Sequence, residues 1–141
     1  MRKYKTLVVP FCLVFWLGSC KEKTKFHLEI PALNSSVEVQ QLSIKQLSKR
    51  YKLLDGQYVE TEGIFKWGFE ELAIYPSQYA STEISIWLEP HLDLLPEKEW
   101  NNLIKLAGKK IIVRGRIDTN SRGHLGQYLT TITNIYYLKE K

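Results

Sequence analysis

Residues 109–117 read KKIIVRGRI. Ile111, Val113, Gly115 and Ile117 share one parity, and Ile112, Arg114 and Arg116 the other, the period of two that an extended strand keeps. A glycine in the middle of such a run leaves a gap in the pleat, the usual mark of a bulge or tight bend. Residues 58–67, YVETEGIFKW, repeat the pattern. Val59, Thr61, Gly63, Phe65 and Trp67 alternate with Tyr58, Glu60, Glu62, Ile64 and Lys66. Two strands, each bent at one glycine, imply a mainly β chain whose sheet curls on itself.

Working outward, Ser43-Ile44-Lys45-Gln46 has the spacing of a capping box, and Ile44, Leu47, Tyr51 and Leu54 follow at three- and four-residue steps. The spacing predicts a helix over 43–54, stopped by Asp55-Gly56. After the turn at Gly68, Leu72 to Tyr75 gives a second strand closed by Pro76-Ser77. Ile84, Ile86 and Leu88 alternate with Ser85, Trp87 and Glu89 in a third. Pro96 occupies a preferred first-turn position, and Glu97 and Glu99 favour the positive end of a helix. Its apolar stripe is Trp100, Leu103, Ile104 and Ala107, and Gly108 ends it. Residues 118–126 are turn chemistry. Gln127 to Leu138 reads as a long last strand in which Ile132 and Ile135 break alternation, as a bulge between them would.

Three strands, a helix and two strands, with a central glycine in the first and fourth strands, is the order of a small five-stranded Greek-key barrel. YVETEGIF and GKKIIVRGRID resemble the first and fourth strands of bacterial OB-fold modules, and the resemblance covers about 80 residues from Gly56 to Leu138. It implies an OB-fold-like barrel with a helix between strands 3 and 4 and an extra N-terminal helix. A different small barrel or an open α+β sheet is the alternative. OB-folds host unrelated functions, so the resemblance implies an architecture and no activity.

The chain begins MRKYKTLVVPFCLVFWLGSCKEK. Arg2, Lys3 and Lys5 precede an apolar run from Leu7 to Leu17, and Gly18 and Ser19 stand before Cys20, the layout of a secretory leader. The run is too short for the roughly 20 apolar residues that span a membrane. Leu17-Gly18-Ser19-Cys20 resembles the lipobox of bacterial lipoproteins. The resemblance implies cleavage before Cys20, acylation of its sulfur and new amino group, and stable membrane attachment through several acyl chains. An ordinary signal peptide with a chance cysteine is the competing reading. Lys21 stands where an acidic residue would retain a lipoprotein at the inner membrane, which favours the outer membrane of the cell envelope. Lys21-Glu22 partly resembles the export signal of Bacteroidetes surface lipoproteins, with Lys23 where a second acid would stand. The leaflet therefore stays open. The expected organisation is a signal peptide over 1–19, a lipidated Cys20 and flexible tether over 20–41, and a folded domain over 42–141. Within the tether, FHLEI is readable as a short edge strand or as disorder.

The leader also colours the composition. The chain carries 20 basic and 15 acidic side chains. Removing Arg2, Lys3 and Lys5 leaves 17 against 15, a net charge of +2. A near-neutral domain lacks the clustered basic surface of a nucleic-acid binder. Cys12 leaves with the leader and Cys20 takes the lipid, so no disulfide framework remains. His27, His91 and His124 are scattered without cysteine partners, which argues against a metal, and no nucleotide-loop, zinc-protease or nucleophile-elbow motif gives a cofactor or an enzyme. Glu60/Glu62 and Glu70/Glu71 are more simply solvated carboxylates than an acid/base pair.

The OB-fold resemblance implies a ligand face on strands two and three with the loops after strands one and four. Trp67, Tyr75, Ser85, Trp87, Arg114, Arg116 and the loop holding Arg122 and His124 would lie near it, and Tyr75, Trp87, Arg114, Arg116 and Arg122 are the candidate ligand-binding residues. Aromatics beside arginines suit stacking on bases or sugars. The plainer readings are that Trp67 is core, that Trp87 and Ile112 floor the first helix, and that Arg114 and Arg116 pair across strands with Glu60 and Glu62. The expectation is a lipid-anchored, non-catalytic module for another envelope protein. An oligosaccharide or single-stranded nucleic acid binder is the alternative, and an enzyme the weakest reading.

Overall fold

The computed structural model describes residues 25–29, 37–90 and 97–141. Cys20, the leader, Pro96 and His91 lie outside the described residues. Strands β3 (Tyr58–Gly68), β4 (Glu71–Tyr75), β5 (Ile86–Leu88), β6 (Lys110–Asp118) and β7 (Thr130–Glu140) form a closed barrel. β3 pairs with β4, β4 with β5, β5 with β7, β7 with β6, and β6 back with β3. All these pairings are antiparallel except β5 with β7. The mainly β, OB-fold-like Greek-key barrel read from the sequence is therefore the fold.

Closure depends on the two glycines. The first half of β3 pairs with β6, from Tyr58↔Arg116 to Ile64↔Lys110, and the second half pairs with β4, from Ile64↔Tyr75 to Gly68↔Glu71. The strand changes partner beside Gly63. A Cβ there would stand 2.8 Å from the Tyr75 carbonyl oxygen and 2.9 Å from Ile44 Cδ1. Gly115 lies opposite the bulge in β7. Arg114 pairs with Tyr137 but Arg116 with Thr133, so β7 carries two extra residues, with Asn134 at φ 47°. A Cβ on Gly115 would meet Ile132 Cγ2 at 2.5 Å and the Thr133 carbonyl oxygen at 2.7 Å. The bulge spans the residues between the paired Thr133 and Tyr137, so it begins where the alternation of Ile132 and Ile135 breaks and takes in Ile135.

The inward parities of β3 and β6 are buried, among them Val59, Phe65, Ile111, Val113 and Ile117. Helix α1 (Ile44–Arg50) starts at the Ser43 capping box, with Gln46 answering the Ser43 backbone N–H. It continues as a 3₁₀ turn over Tyr51–Leu53, shorter as an α-helix than the 43–54 periodicity suggests. It buries Ile44 and Leu47 and lies beside Gly63. Helix α2 (Glu97–Ile104) stands between β5 and β6 in sequence, with Leu103 buried in it, Leu106 buried in the turn that follows, and Trp100 edge-to-face on Trp67 at 4.6 Å.

Two expectations change. Ile84 is exposed in a 3₁₀ turn over Thr82–Ile84, so the third barrel strand begins only at Ile86. The segment read as a flexible tether holds two short strands, β1 (His27–Glu29), antiparallel to the end of β7, and β2 (Gln40–Gln41), parallel to β3. The physical reason is that Phe26, Leu28 and Leu42 pack against the core while β7 offers free backbone groups at its C-terminal end.

Candidate functional site

The sequence places Tyr75, Trp87, Arg114, Arg116 and Arg122 near one surface. The structure separates them into two groups.

Tyr75, Trp87 and Arg122 belong to the β4–β5 face. Ala73 and Trp87 are opposite each other in the ladder, and Trp87 stacks at a tilt on Tyr128, 5.1 Å between centroids. The loop from β6 to β7 folds directly over the indole. Gly123, at φ +63°, approaches so closely that a Cβ would stand 2.6 Å from Trp87 Cγ. Arg122 donates from Nε to the Tyr128 carbonyl oxygen at 2.8 Å, and the Tyr128 N–H returns to the Arg122 carbonyl. Tyr75 is only 2% exposed. Its hydroxyl donates to Glu71 Oε1 at 2.6 Å, and Lys66 Nζ stands 3.8 Å from its ring centroid. Burial, then the Glu71 and Tyr128 hydrogen bonds, push this hydroxyl far above its ordinary value, so it is a proton donor at any physiological pH. Ser85 is buried and donates to the Ser81 carbonyl. These aromatics pack against one another and against the chain's own loop, with Trp87 half-buried and Tyr75 fully so.

Arg114 and Arg116 lie on β6, facing β3 and β7. Arg114 Nε meets Glu60 Oε2 at 2.6 Å, and its guanidinium lies over Tyr137 at 4.3 Å. Arg116 donates to the Gly56 carbonyl oxygen, while Glu62 takes Lys110 and Lys141. The cross-strand reading therefore holds for Arg114 with Glu60 and fails for Arg116 with Glu62. The register explains it, since Glu62 stands opposite Ile112 and Arg116 opposite Tyr58. Nor is Trp87 the floor of α1. The loop between β6 and β7 covers it, with Gly123 lying directly against the Trp87 side chain.

The loops hold what the sequence reading missed. The turn between β3 and β4 and the loop between β6 and β7 meet where His124 Nε2 stands 3.1 Å from Glu70 Oε2. Each of the two loops carries a non-glycine residue in the left-handed region, Glu70 at φ 56° and Leu125 at φ 52°. Beside this pair, Phe69 is 93% and Leu125 76% exposed. A bulky side chain held at positive φ is uncommon and costs free energy, and such positions cluster at functional sites. A phenylalanine inside a turn with two acids, FEE at 69–71, was the available signal.

Among the described residues no group of His, Cys, Asp and Glu could hold a metal ion, and no helix is long and apolar enough to cross a membrane. Comparison with known proteins finds no matching family model, no matching curated protein and no matching solved structure.

Proposed function

We propose that the chain is a lipid-anchored, non-catalytic module of the bacterial cell envelope that binds another envelope protein through the two loop tips at Phe69 and Leu125. Anchoring rests on the basic and apolar leader ending at Cys20, with the outer membrane favoured by the absence of an acid after it. The observation that carries the binding mode is the pair of exposed apolar side chains on two loops joined by His124 and Glu70. An exposed aromatic such as Phe69 can enter an apolar pocket on a partner and be desolvated there, the usual way a few side chains carry most of the binding energy. The filling of the β4–β5 face by Gly123 and Tyr128 weighs against stacking of sugars or bases. Near-neutral mature charge weighs further against nucleic acid.

The test is a photo-crosslinking amino acid at 69 or 125 in intact cells, with exposed position 52 as control. A discrete protein adduct at 69 and 125 but not at 52 is the expected result. An adduct of glycan mass would transfer the site to the oligosaccharide reading, and equal labelling at all three positions would remove the loop tips as a site. With the crosslinker at 69, Leu125→Ser should weaken the adduct of the partner, and the double substitution Phe69→Ser with Leu125→Ser should leave the melting temperature within about a degree, because neither side chain is packed.

A further inference from the structure

Cys20 is followed by KEKTK, so Lys21, Lys23 and Lys25 face a single acid, Glu22, in the first five positions after it. The fold adds to that cluster. Lys25, Phe26 and His27 line a shallow groove with Lys98, Glu99, Asn102, Lys105, Leu106, Lys109 and Glu140, the end of the barrel where α2 leads into β6. The four lysines of this groove are exposed, while Glu99 and Glu140 are half-buried, and Glu140 is held by Lys109 at 2.9 Å. Glu97 is exposed but does not line the groove. Five residues reach at most about 18 Å, so Cys20 is never farther than that from Lys25.

We propose that this α2 end of the barrel, with Lys25, Lys98, Lys105 and Lys109, is a membrane-facing surface that docks on anionic phospholipid headgroups. The inference rests on the anchored reading of Cys20. A short leash places the cluster within reach of the bilayer, and basic residues next to an anchor bind the negative surface potential over about a Debye length. Docking here leaves the opposite end of β6, about 26 Å away along eight residue steps, turned outward.

The experiment uses the mature full chain, purified from membranes and reconstituted into vesicles whose headgroups carry an acceptor dye. Cys12 and Cys20 are the chain's two cysteines. In the lipidated mature protein, a cysteine introduced at Ala107→Cys or Asn120→Cys is therefore the single free thiol for a donor dye. Both positions are exposed, Ala107 beside the lysines and Asn120 beyond the far end of β6. In vesicles of phosphatidylethanolamine with phosphatidylglycerol, energy transfer from 107 should exceed that from 120. The excess should be lost in phosphatidylcholine vesicles, in 0.5 M salt, and in the triple variant Lys25→Gln, Lys98→Gln, Lys105→Gln. Flotation with the vesicles together with equal transfer from the two positions would overturn the docking surface and leave the anchor standing. Failure to float, or a second dye attached at Cys20, would overturn the anchored reading and the docking surface with it.

Discussion

Gly63 and Gly115 show how single residues close the barrel. Both sit on the inward parity, so their need is for space, not for an unusual φ. A methyl at Gly115 is set against Ile132 and the Thr133 carbonyl, and the backbone oxygen cannot step aside without unwinding the bulge. Gly115→Ala should therefore destabilise the fold by about 1–3 kcal/mol, the usual range for overpacking, read as a shift of the urea midpoint. An unchanged midpoint would mean that the bulge relaxes freely. Gly63→Ala should behave similarly, since Tyr75 oxygen and Ile44 close on it from two sides. The Glu60–Arg114 pair is partly buried, with 19% and 25% of the side chains exposed. Glu60→Gln keeps the shape and removes the charge, and should cost about 1 kcal/mol, above the few tenths of an exposed pair.

At the scale of elements, local signals were legible wherever a residue's neighbours in sequence are also its partners. The capping box at Ser43 and Gln46 forms as the spacing dictates, and Ser43→Ala should cost about 1 kcal/mol by the same denaturation assay. The β7 bulge was legible because Ile132 and Ile135 violate the strand period. The start of β5 was not. Ile84 keeps the alternating parity of Ile86 and Leu88, yet Ser85 donates its N–H to Thr82, and the 3₁₀ turn wins over the ladder. β1 was legible only as an alternative, since a three-residue strand draws its stability from the β7 edge it meets. His27 and Tyr137 pack edge-to-face there at 5.2 Å, a contact between residues 110 positions apart.

For the molecule as a whole, acid sensitivity follows from surface carboxylates held by distant parts of the chain. Hydrogen bonds from Lys110 and Lys141 hold Glu62 below its ordinary 4.5, Lys109 does the same for Glu140, and the Thr119 backbone and hydroxyl lower Asp55. A carboxylate whose folded value is lowered binds fewer protons when folded. Its contribution is complete above the ordinary value and is lost as pH falls through the lowered one. The melting temperature should therefore be flat from about pH 5 to about pH 9 and fall below that range, less steeply in Lys110→Gln with Lys141→Gln. A parallel fall in that variant would remove Glu62 from the account. The sequence by itself determined β3 and β6 with their parities, the two bending glycines, the order of the barrel elements and so the barrel, because each is written in periods of two or 3.6 and in turn residues along the chain. The basic start, the short apolar run and Cys20 on which the proposed anchor rests are also features of the sequence alone. Only the tertiary structure decided that the expected ligand residues divide between two faces, that Gly123 covers Trp87, and that Glu70 meets His124 between two exposed apolar tips. Those outcomes depend on loop paths and ladder register, which are fixed by packing between residues far apart in sequence and leave no period to read.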